Sequence, residues 1–277
     1  MKRFFIFGAI CVFTLAMLLT ACKKDNPKPD NEGNNNQETP IGGGDDTPHQ
    51  EYPETAVVLP QAVTDIDGNT YDAVQIGNQV WMAENLRTTR YADGTVIPMG
   101  STYSFTEPYR YAPGTGQSNE ENMGNVAHYG YLYNWSAVMH NENSSEASPY
   151  GVQGICPNGW HVPSDAEWTE LTDYMNSQST YMSGAKALAA TWGWHSANNT
   201  NAPGNNPSTN NATGFSALPA GNYNGHSNDF GEFAYYWCAT ELDDEYAFLR
   251  YLNCYNTSVF KTYLYKNFGF SVRCVRD

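Results

Sequence analysis

Apolar and polar positions divide this chain into three unequal parts. Behind Lys2 and Arg3, residues 4–19 are apolar except for Gly8 and Thr14. Residues 23–55 then carry almost no apolar side chain and are rich in Asn, Gly, Pro, Asp and Glu. Such a stretch buries too little surface to repay its ordering entropy, so it reads as a disordered tether. From Gln61 short apolar runs return. Ala62–Ile66 and Thr70–Ile76 flank Asp67-Gly68-Asn69, and Gly77-Asn78-Gln79 leads into Val80–Ala83. The Asp-Gly step supplies the positive φ of a tight hairpin, and the three runs predict a three-stranded meander.

Beyond the meander, residues 91–125 read as loop, punctuated by Asp93-Gly94, Pro98, Pro108 and Pro113-Gly114. A short aromatic helix is expected over Tyr129–Met139. The clearest helix starts after Pro163, where Ser164 and Glu167 have the spacing of a capping box. Trp168, Leu171 and Met175 follow on one face. A weaker helix covers about 182–191, with Ala185, Leu188 and Ala189 sharing a side. Residues 193–233 show almost no periodicity, and a long irregular segment inside a domain is usually functional. Strand character returns in Tyr235–Thr240, Ala247–Asn253, Ser258–Tyr265 and Phe270–Val275. Two helices among short antiparallel strands and long loops predict an irregular α+β domain over 61–277, preceded by a linker over 22–60.

The first apolar run is too short for a stable membrane span, which needs about 20 residues. It ends in Leu19-Thr20-Ala21-Cys22, which resembles a lipobox, so residues 1–21 read as a lipoprotein signal and Cys22 as the lipidation site. Lys23 gives no inner-membrane retention signal of the aspartate type, and an outer-membrane anchor is expected, with either face of that membrane open. The net charge is −15, with 29 acidic and 14 basic residues. That balance argues against nucleic acid and against anionic head groups as partners, so membrane attachment falls to the lipid.

Aromatic residues make up 14% of the chain, with 20 tyrosines and 7 tryptophans, against only 16% charged residues. A polar, uncharged and aromatic composition suits glycan-binding surfaces as well as aromatic cores. Of six cysteines, Cys11 leaves with the signal and Cys22 takes the lipid. Cys156, Cys238, Cys254 and Cys274 remain, an even number in an oxidising compartment, which reads as two disulfides with three possible connectivities.

Several segments together resemble one family. They are residues 64–71 (TDIDGNTY), 79–86 (QVWMAENL), 129–135 (YGYLYNW), 156–164 (CPNGWHVPS), 214–221 (GFSALPAG) and 268–274 (FGFSVRC). In this order they look like the Fibrobacter succinogenes major paralogous domain of Bacteroidetes surface lipoproteins. The resemblance implies a C-type-lectin-like domain with its ends close together and a long variable loop. It also implies that Cys156 pairs with Cys274, and Cys238 with Cys254. It supplies no activity.

Residues 159–168 also look like the helix start of the formylglycine-generating enzymes, which use a close pair of reactive cysteines near the C-terminus. Cys254 stands alone in its stretch, and His161 reads as structural. No H-E-x-x-H or G-x-S-x-G motif is present, so no catalytic residues are assigned and no cofactor is required. The acidic run Glu241, Asp243, Asp244 and Glu245 offers oxygen ligands for Ca²⁺ but reads first as a hairpin turn. Trp192, Trp194, His195, Tyr223, Asn224 and His226, in or beside the long loop, are the candidate ligand-binding residues. The expectation is a non-catalytic binding domain for a surface glycan or protein. The alternative is a structural or adhesion role in a fimbrial or surface assembly, with an enzyme related to the formylglycine-generating family third.

Overall fold

The computed structural model describes residues 53–277, apart from 55, 150, 179, 180 and 182. The expected signal, Cys22 and nearly all of the tether lie outside the described residues. Strands β1 (Val57–Thr64), β2 (Thr70–Ile76) and β3 (Gln79–Met82) form the meander. β1 starts four residues ahead of Gln61. Val57, Val58 and Leu59 pair with Gln75, Val74 and Ala73, and a register shift before Val63 absorbs Pro60 and Gln61. Pro60 therefore sits in a bulge, one of the few strand positions that tolerate a missing donor.

The β1–β2 turn is organised by Asp65 and Asn69. Asp65 accepts from the backbone of Asp67 and Asn69, from the Asn69 amide at 2.8 Å and from the Tyr71 hydroxyl at 2.6 Å. Its carboxylate is spent on turn chemistry, and burial next to it pushes the Tyr71 phenol well up.

The 91–125 stretch carries three small elements: β4 (Arg110–Tyr111), the one-turn helix α1 (Asn119–Asn122) and a 3₁₀ turn over Met123–Asn125. The expected helix over Tyr129–Met139 is broken in the middle. A short helix α2 (Val126–Tyr129) ends at Gly130, whose φ is +71°. β5 (Leu132–Tyr133) follows and pairs with β4, and only then does α3 (Trp135–Met139) begin, with Asn134 as its N-cap. Asn134 accepts from the Tyr109 and Ala137 amides and donates to the Ser104 and Glu107 carbonyls. Tertiary contacts that use every polar atom of Asn134 override the local helical pattern.

After β6 (Trp160–His161), helix α4 (Asp165–Ser177) carries the predicted box. The Ser164 hydroxyl accepts from Glu167 N, and the Glu167 carboxylate accepts from Ser164 N at 2.9 Å. Its buried face of Trp168, Leu171 and Met175 packs on Val74, Ile76 and Trp81 of the meander, with the Trp81 and Trp168 centroids 4.7 Å apart. Each such side chain contributes roughly 1.5–3 kcal/mol on burial. The weaker helix shrinks to α5 (Gly184–Leu188).

The irregular segment holds a two-stranded hairpin, β7 (Asn222–Tyr223) and β8 (Ser227–Asn228), but it is not an open loop. Asn210, Asn211, Thr213 and residues 215–218 are buried, with polar side chains bonded to backbone. Three long strands follow: β9 (Phe233–Glu241), β10 (Tyr246–Asn253) and β11 (Phe260–Tyr265). Of the expected final strand only β12 (Val275–Arg276) is regular, while Phe270 and Ser271 make single bridges to Tyr133 and Tyr236.

The largest sheet has the order β1-β2-β3-β12-β6 and the next β11-β10-β9, beside the two-stranded pairs β4-β5 and β7-β8, every strand pairing antiparallel. β12 lies between β3 and β6, which brings the first and last strands of the domain into one sheet. The result is an α+β architecture of short antiparallel strands and few helices.

Cys156 and Cys274 form a disulfide across 118 residues, with Cα atoms 6.0 Å apart. In a chain-entropy model that bridge contributes about 4–5 kcal/mol. The second implied pair is not made, because Cys238 is a free, buried thiol. Cys254 lies level with Glu232, to whose carbonyl its backbone amide donates at 2.9 Å, and Glu232 is six positions along the chain from Cys238. At about 3.3 Å per residue that offset is roughly 20 Å, far beyond the 7 Å limit for a bridge.

Candidate functional site

Register in the β11-β10-β9 sheet sets the geometry of its open face. β10 and β11 pair Tyr246 with Tyr265, Phe248 with Tyr263 and Arg250 with Lys261. Alternation places all six side chains on one side. At the helix end of this side, Asp165 of α4 accepts from Arg250 at 2.7 Å and from Lys261 at 2.6 Å. Lys261 also lies 4.3 Å from the Phe248 ring centroid. These contacts clamp the N-terminus of α4 over one end of the sheet, where an acidic first residue also suits the helix dipole. The other end stays uncovered.

There the tyrosines are open to solvent, Tyr263 at 49% and Tyr265 at 39% exposure. Tyr246 lies 4.4 Å from Tyr265 and 5.8 Å edge-on from Tyr263. Its hydroxyl is hydrogen-bonded to Tyr265, which pushes its pKa up to about 12. Phe105 completes the surface from a separate loop, edge-on to Tyr265 at 6.1 Å. That loop is held by Asn134 and by Ser136, whose hydroxyl donates to the Thr106 carbonyl at 2.6 Å. Four rings thus form a continuous, neutral aromatic surface on a rigid support.

The acidic run lies beside it as the β9–β10 turn. Asp243 accepts from the amides of Glu245 and Tyr246, and Glu241 pairs with Lys266 at 2.6 Å. Asp244 and Glu245 are exposed. Among the described residues no group of three or more His, Cys, Asp or Glu side chains is placed to hold a metal ion.

The loop residues expected to bind ligand are distributed differently. Trp194 and Tyr223 are each 7% exposed. Tyr223 stacks on Tyr111 at 3.8 Å, and Trp194 belongs to the cluster that contains Trp168 and Phe215. Trp192 packs edge-on against Tyr129 at 5.4 Å. His195 sits against Gly231, with Nδ1 3.6 Å from Glu232. Asn224 and His226 form the β7–β8 turn, where Asn224 accepts from Asn228 at 2.7 Å. Tyr223, Asn224 and His226 share one hairpin and Trp192 joins the same aromatic cluster as Tyr223, but the rings serve packing.

The exposed face was missed, although a signal for it exists. Phe260-Lys-Thr-Tyr-Leu-Tyr265 alternates strictly, which places Tyr263 and Tyr265 beside Lys261 on a polar side. Elsewhere, a depression of about 510 Å³ lies between Asn78, Gln79 and the Glu170, Asp173, Tyr174 and Ser177 side of α4.

His161 is structural in its bonding. Its ring nitrogens lie 2.7 Å from Glu167 and 2.7 Å from Asp277. Burial works against its charge, but the hydrogen bonds and negative charge of Glu167 and then Asp277 prevail and raise its pKa. Burial pushes the Cys238 thiol strongly up, which keeps it protonated.

Fold and surface together define a disulfide-linked α+β domain with a packed irregular half and an open aromatic face. The chain belongs to the Fibrobacter succinogenes major domain family, whose model matches residues 74–276. No curated protein and no solved structure matches it.

Proposed function

We propose that this is a lipid-anchored cell-envelope protein whose C-type-lectin-like domain binds neutral glycans without catalysis, through Phe105, Tyr246, Tyr263 and Tyr265. The observation that carries this reading is the run of solvent-open rings across paired strands. Aromatic faces pack against sugar C–H groups while the phenol hydroxyls donate or accept hydrogen bonds and neighbouring carboxylates accept them. The net charge of −15 disfavours anionic polymers and leaves neutral ones. The lectin-like reading draws support from the shared sheet of first and last strands, the packed irregular half and the bridge to Cys274. Cys22 would hold the chain at the outer membrane, and no helix among the described residues is long and apolar enough to cross a membrane.

A second reading, a component of a surface assembly, is favoured by β11. This six-residue strand pairs only with β10 among the described residues and offers an edge for another chain. An array of neutral and charged glycans probed with the mature chain separates the two. Binding confined to neutral glycans supports the first reading. Silence on the array together with stable co-purification of another envelope protein supports the second.

A further inference from the structure

The irregular segment contains a built oxygen cage, and its occupant is part of the chain. Lys186 sits in α5, 2% exposed. Its Nζ donates to the Asn205 carbonyl at 2.6 Å and to Asn210 Oδ1 at 2.9 Å, with the Ala202 and Asn206 carbonyls at 3.4 Å. Among the described residues no carboxylate forms an ion pair with it. A chain with 29 acidic side chains has therefore matched a buried cation to neutral oxygens.

The surrounding backbone is arranged to present them. Asn206 adopts a left-handed φ of +49°. Asn210 uses its amide nitrogen on the Ala190 and Pro203 carbonyls, which leaves its oxygen directed at Nζ. The Asn211 amide donates to the Lys186 carbonyl, so the loop returns to the helix it surrounds. Burial alone drives the ammonium towards neutrality. Carbonyl oxygens oppose that, because they accept only from donors and favour positive charge.

We infer that residues 199–211 form a monovalent-cation site whose resident cation is the tethered ammonium of Lys186. Carbonyl rings of this kind replace the hydration shell of potassium-sized ions. Lys186 is the positioning residue that orders this half of the domain, and the loop needs no bound metal to hold its shape. With the side chain cut back, the cage becomes a site for free ammonium or potassium.

The test is hydrogen exchange of amides 199–211 in the mature, oxidised chain and in Lys186→Ala, each with chelator, ammonium chloride or potassium chloride. The expected result is an unaltered chain indifferent to chelator and a variant roughly tenfold to a hundredfold less protected in this segment. Ammonium or potassium should restore the variant's protection. Unchanged protection in Lys186→Ala, no effect of either ion on it, or chelator sensitivity in the unaltered chain would each overturn the inference. If the variant does not fold, the lysine side-chain nitrogen spectrum of the unaltered chain decides. A three-proton ammonium signal shielded from water exchange supports the cage, and its absence contradicts it.

Discussion

The guanidinium of Arg273 lies 4.6 Å from the Phe215 ring centroid and donates to the carbonyl of the same residue. It also donates to the Met82 and Ser216 carbonyls and to Asn85 Oδ1. Residues 79–86, 214–221 and 268–274, three separate segments of the family pattern, therefore meet at one fully buried cation. Ser216 is held there at a φ of +59°, a conformation its neighbours must impose.

Truncating Arg273 leaves several buried acceptors unmet and a cavity between the segments. Arg273→Ala should lose at least about 3 kcal/mol of stability, since each unsatisfied buried group costs about 1–3 kcal/mol. Denaturant unfolding checks this. Arg273→Lys should recover only a small part, because an ammonium cannot reproduce the planar fork.

The C-terminal Asp277 is tied to α4 through His161. The His161 pKa is raised on folding, so its stabilisation is present in full below the unfolded value of about 6.5. It is lost as pH rises through the folded value. Unfolding midpoints should fall as the solution passes from mildly acidic to mildly alkaline, and His161→Gln should flatten that dependence.

Reduction should reach the Cys156–Cys274 bridge and leave Cys238 inert. Replacing both bridged residues by alanine should cost about 2–5 kcal/mol. In the folded chain Cys238 should resist alkylation and become labelled only on unfolding, as mass spectrometry of the labelled peptide would show.

The box at the start of α4 gives a smaller, local effect. Ser164→Ala removes the acceptor for Glu167 N and the donor to the Ala147 carbonyl. A loss of about 1–2 kcal/mol is expected from thermal or denaturant unfolding.

Features that depend on near neighbours were legible in the chain. The Asp65 turn, the Ser164 box and the Trp168, Leu171, Met175 face follow from spacing within a few residues. The Cys156–Cys274 pairing came with the family resemblance. What escaped was set by distant contacts. Cys238 and Cys254 lie on or beside paired strands, but the register that separates them is a property of the whole sheet. Asn134 breaks an apparent helix because Ser104, Glu107 and Tyr109 reach it from another segment.

The open aromatic face went unread for the same kind of reason. Composition announces many aromatics without saying which face each ring occupies. Trp194 and Tyr223 are covered by segments remote in the chain. Tyr263 and Tyr265 stay open only because β11 is at a sheet edge and α4 is clamped to the far end by Asp165. The strict alternation of β11 was the available signal, but it identifies the open side only once the neighbours are known.

The most direct test of the account is the affinity of the mature chain for a neutral polysaccharide identified on an array. It should be measured side by side for Tyr263→Ala, Tyr265→Ala and the loop variant Trp192→Ala. Losing one stacking ring should weaken binding by roughly tenfold in each tyrosine variant, while Trp192→Ala binds as the unaltered chain does. Undiminished binding in both tyrosine variants, with loss in Trp192→Ala, would contradict the account and return the site to the irregular half.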